Sequence, residues 1–77
     1  MKTLVGEIIQ EGTITKTAKL MYNDRKGFFI AYVSICDELG IGVPPIWTSV
    51  EDKILEKNGM VQFEIEEGII LRIYHQA

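Results

Sequence analysis

The side chains with chemical reach crowd into one stretch of this chain. Lys16, Lys19, Arg25 and Lys26 supply cations, and Tyr22, Phe28 and Tyr32 supply rings, all within residues 16–32. Cations that follow a phosphate backbone and aromatic faces that stack on bases are what sequence-tolerant single-strand binding requires. The spacing therefore marks these seven residues as a candidate nucleic-acid-binding set, and the chain as a small nucleic-acid-binding or regulatory module. Four cations make a modest site, with a log–log salt slope of about −2 to −3 at roughly −0.7 per neutralised phosphate of a single strand.

Little else offers chemistry. The chain has one His and one Cys, and a nucleophile or acid–base pair needs partners within reach. His75 reads as solvated, Cys36 as a small buried hydrophobe at the end of an apolar run, Glu66 and Glu67 as a hairpin tip, and Glu7 with Glu11 as a strand edge. No HExxH, GxSxG or glycine-rich phosphate loop is present. The expectation is a non-enzyme with no catalytic residue, no metal site and no cofactor.

Residues 16–26 carry a local charge of +3 against −6 for the rest of the chain, which leaves −3 overall and a pI near 5.0. That balance argues against dense, non-specific coating of phosphate polymers. With 77 residues the sequence reads as one domain, 1–77, and its 47% hydrophobic share is more than so small a body readily hides. Some of the excess is expected in a homo-oligomer or partner interface, so the alternative reading is a non-catalytic interaction module that docks through an apolar sheet face. A single Cys makes no internal disulfide, which suggests a reducing, cytoplasmic setting. No signal peptide is read, and no apolar run approaches the roughly 20 residues of a membrane helix.

The elements that would position these residues read mainly as β. Residues 3–10 form a first strand interrupted by Gly6, a mark of a bulge or a close backbone approach. Glu11-Gly12 turns the chain. Residues 19–22 and 28–35, rich in aromatic and β-branched side chains, read as the two strands of a long hairpin whose tip is residues 23–27. Alternation puts Phe28, Ile30 and Tyr32 on one face of the second strand and Phe29, Ala31 and Val33 on the other. Pro44 and Pro45 exclude a central strand nearby, and Trp47 reads as a core plug. Thr48 with Glu51 has the capping-box pattern, so a short helix runs to Asn58-Gly59. Residues 60–65 and 69–74 form a closing hairpin around Glu66-Glu67-Gly68.

Three strands, a connection, a capped helix and a final hairpin resemble the OB-fold, a five-stranded barrel with its helix between strands three and four. The resemblance is one of element order. It implies that strands two and three carry the ligand, which would be single-stranded nucleic acid on the 16–36 hairpin. An SH3-like barrel is the alternative small fold. Asp37-Glu38-Leu39-Gly40, with Val43, Pro45 and residues 67–72, also resembles the AbrB-type swapped-hairpin DNA-binding domain, with Ile41 where that family has an arginine. That likeness implies a dimer on duplex DNA.

Overall fold

The computed structural model describes residues 2–42 and 59–76. They form strands β1 (Lys2–Gln10) and β2 (Thr13–Tyr22), helix α1 (Arg25–Leu39), and strands β3 (Met60–Glu66) and β4 (Ile69–His75). The strands make one antiparallel sheet in the order β2-β1-β4-β3. The first hairpin turns on Glu11 and Gly12, both at positive φ (54° and 76°). This two-residue geometry matches the right-handed twist of the strands it joins. The second hairpin turns on Glu67 and Gly68, and the two hairpins meet where β1 pairs β4, from Leu4↔His75 to Gln10↔Ile69.

Residues 25–39 form a helix because three local signals agree. Asp24 sits in extended backbone and its carboxylate accepts the Gly27 N–H at 2.7 Å, an N-cap that satisfies one of the orphan donors of the first turn. Phe28, Ala31, Tyr32, Ile35, Cys36 and Leu39 then recur at helical spacing, and all six are buried. Gly40 stops the helix in the left-handed region (φ 76°), its N–H donating to the Asp37 carbonyl and that of Ile41 to the Cys36 carbonyl, each at 3.0 Å. Those two bonds are the Schellman pattern. Lys16 reaches over from β2 and donates to the Leu39 carbonyl at 3.4 Å, placing a cation at the negative end of the helix.

The buried stripe of α1 lies over β2 and β1. Beneath it are Leu4, Ile8, Ala18 and Tyr22, and the same cluster runs on to Leu71, Ile73 and Val61 of the other hairpin. Full burial of a side chain such as Phe28 or Ile35 stabilises the fold by about 1.5–3 kcal/mol. Gly6 lies under α1, where a Cβ would run into Ile35 and come within 3.3 Å of Ile73 and Leu39. The missing side chain is what lets the helix descend onto the central strand.

This architecture replaces the expected OB-like five-stranded barrel with a small mixed α/β fold, an open four-stranded sheet carrying a helix. Closure would need pairing between β2 and β3, which lie at opposite edges of the sheet. The SH3-like alternative fails for the same reason. Residues 28–35, read as a strand of a long hairpin, are the body of α1, and β2 pairs with β1 instead. Asp37-Glu38-Leu39-Gly40 ends that helix, so the strand required by an AbrB-like swapped hairpin is absent there. Gly6 admits a helix and does not coil a barrel, while the one irregularity of β1 against β2 falls at Ile8/Ile9. Pro44, Pro45, Trp47 and the expected helix from Thr48 lie outside the described residues.

Candidate interaction surface

Of the seven residues singled out for nucleic acid, the structure brings the three rings of Tyr22, Phe28 and Tyr32 together, and it does so in the core. Phe28 and Tyr32 have 0% exposure, so neither ring offers a face to a base. They stack on each other under α1 with centroids 6.5 Å apart, and Phe28 meets Tyr22 edge-on at 5.6 Å. Tyr22 is buried, and its hydroxyl shares a hydrogen bond with His75 Nε2 across the end of the sheet. Burial pushes the Tyr22 phenol pKa up. Burial also pushes up that of Tyr32, helped by the neighbouring Cys36, and raises the Cys36 thiol against the lowering effect of its hydrogen bond to Tyr32. Among the cations, Lys16 faces the helix side of β2 and Lys19, three residues on, the opposite side. Arg25 and Lys26 begin α1, beyond the end of that strand.

On the sheet face away from α1, Glu7 is buried and stands directly across from Arg72 in the register. Arg72 donates from Nε to Glu7 Oε1 at 2.9 Å and approaches the same oxygen with Nη2 at 2.7 Å, while the Tyr74 hydroxyl donates to Oε2 at 3.1 Å. Burial, then the Glu7 carboxylate, push the Tyr74 phenol up. Both carboxylate oxygens are thus engaged by neighbours on the same sheet. The arrangement joins the two hairpins across the β1–β4 seam. No three His, Cys, Asp or Glu side chains converge as metal ligands among the described residues, and no helix there is long and apolar enough to cross a membrane.

The outer side of α1 is different. Phe29 and Ile30 are 56% and 60% exposed, side by side on a helix whose inner stripe is locked into the core. Val33 and Ser34 continue the stripe half-buried, and exposed Lys26, Asp37 and Glu38 bound it at the two ends. Those charges oppose the helix macrodipole: the first turn holds no acid and the last turn no base of its own. An exposed charge at a helix end is worth about 0.3–1 kcal/mol, so each of these is placed against the stability of the isolated helix. Sequence reasoning assigned residues 28–35 to a strand and so missed this surface. The signal that finds it is the recurrence 26, 29–30, 33, 37, one helical face, opposite the buried 28, 31–32, 35–36, 39.

Compared with known proteins, the chain matches no family model, no curated protein and no solved structure. The functional reading therefore rests on these residues alone.

Proposed function

We propose that this chain is a non-catalytic protein-interaction module whose contact surface is the outer face of α1. The observation that carries the reading is the exposure of Phe29 and Ile30 on a rigid helix, while the rings marked for base stacking lie in the core. Adjacent large apolar side chains with charged neighbours at their margin have the composition of an interface core and its polar rim. The helix is held by its caps and by six buried side chains, so a partner meets a preformed surface and little ordering entropy is lost. Cys36, the one cysteine of the chain, is buried without a disulfide partner, which suits a reducing, cytoplasmic setting.

The test is a photo-crosslinking amino acid at position 30, with position 13 as a control away from the helix, in the cells that make the protein. A discrete protein adduct at position 30 supports the module. No adduct refutes it. The same protein titrated with a single-stranded oligonucleotide at low salt decides against the competing function: saturable binding there makes nucleic acid the better account.

A further inference from the structure

Resting on the interaction-module reading, we infer that the partner is a second copy of this chain, its α1 packed antiparallel on the first across a two-fold axis. The order of side chains along the outer face carries this pairing. Reading from the N-terminal end, α1 presents a cation at Lys26, the apolar pair Phe29 and Ile30, half-buried Val33 and Ser34, and acids at Asp37 and Glu38. Reversed and laid against itself about an axis level with Ala31 and Tyr32, this order is self-complementary. Lys26 falls opposite Asp37 of the second copy, Ile30 opposite Val33, and Phe29 opposite Ser34, with each match repeated by symmetry.

A parallel pairing, by contrast, sets Lys26 beside Lys26 and Asp37 beside Asp37. The antiparallel arrangement also explains why the end charges run against their own helix dipole. Lys26 then lies by the negative end of the neighbouring helix and Asp37 by its positive end, so the unfavourable placement within one chain becomes favourable between two. From Lys26 to Asp37 the stripe is about 16 Å long at about 1.5 Å per residue, three turns of contact. Such a contact belongs among the small interfaces of under about 1,200 Å², which associate reversibly.

The experiment is sedimentation of the whole chain across micromolar to millimolar concentration, with Lys26→Glu and Asp37→Lys made separately and then mixed. Both residues are exposed, and both substitutions move charge in the direction the helix dipole favours, so the variants fold. The wild type should show a concentration-dependent dimer. Each variant alone sets like charges together at both ends of the contact and should dimerise about tenfold more weakly. An equimolar mixture restores opposite charges at both ends, and the heterodimer should regain wild-type strength. Ile30→Asp should abolish the dimer while the chain still melts cooperatively, near the midpoint that the wild type shows when diluted to monomer.

A wild type that stays monomeric throughout overturns the inference, as does a dimer that the charge variants leave unchanged singly and mixed. A monomer whose position 30 crosslinks to a chain of another mass rejects the second copy and keeps the interaction module. Absence of any adduct rejects both.

Discussion

Replacing Gly6 with alanine isolates the contact on which the helix–sheet packing depends. Gly6 is not among the positive-φ glycines, so its backbone accommodates any residue. On that ground alone, Gly→Ala would raise stability by about 0.4–1 kcal/mol through the unfolded chain. The added methyl, however, runs into Ile35 Cγ2 and sits 3.3 Å from Ile73 Cδ1 and from Leu39 Cδ1. All three neighbours are buried, and α1 is fixed at both ends by its caps, so none moves aside freely. Overpacking of this kind costs about 1–3 kcal/mol. The net expectation is a loss of about 1–2 kcal/mol once the entropic gain is deducted. Urea unfolding at unchanged m-value measures it. Ile35→Ala alone should cost about 2–5 kcal/mol by opening a cavity, and the pair Gly6→Ala with Ile35→Ala should cost less than the sum by at least about 0.5 kcal/mol. A stabilised Gly6→Ala, or strict additivity in the cycle, refutes the claim that helix and strand touch here.

Two further outcomes follow from the buried polar groups. Arg72→Ala strips the buried Glu7 carboxylate of its part-exposed ion-pair partner and should lower stability by about 1–3 kcal/mol, between the cost of breaking an exposed pair and that of a fully buried one; a loss under about 1 kcal/mol in the same unfolding assay would reduce the pair to surface decoration. The second outcome is an alkaline limit. Cys36, Tyr22, Tyr32 and Tyr74 all have folded pKa values raised, chiefly by burial, above ordinary values of 9.0 for the thiol and 10.0 for the phenols. The fold therefore favours their protonated forms. The stability they contribute is complete below those ordinary values and is lost as pH climbs through them toward the folded ones. Urea midpoints should hold from pH 7 to 8 and fall beyond about pH 9; a midpoint that stays level to pH 11 contradicts this.

Much of the sheet was legible in the sequence. The alternation of Val61, Phe63 and Ile65 with Gln62 and Glu64 marks β3, Glu11-Gly12 marks the first turn, and Glu66-Glu67-Gly68 marks the second one residue too wide, since Glu66 still belongs to β3. The helix was not. Residues 28–35, FFIAYVSI, are aromatic and β-branched, and over eight positions they satisfy a period of two as well as one of 3.6. Only a longer window, from Asp24 as a cap through Leu39 to Gly40 as a stop, breaks the tie. The candidate surface was lost with it, because which of Phe28 and Phe29 faces out depends on the element that carries them. The close approach at Gly6 was legible as a possibility, whereas its occupant, Ile35, depends on tertiary packing.

The seam between the two hairpins has a consequence for how the protein is made. Strand β1 acquires its first neighbour, β2, as soon as residues 13–22 follow it, but its other edge waits for β4, whose Arg72 stands 65 positions beyond Glu7. At synthesis rates of about 5–20 residues per second, that edge goes without its native neighbour for about 3–13 s in every nascent chain. It carries Leu4, Val5 and Ile8, and an unpaired apolar strand edge is a template for pairing with another chain. An inner strand of the finished sheet is thus, for those seconds, open along one edge to pairing with another chain.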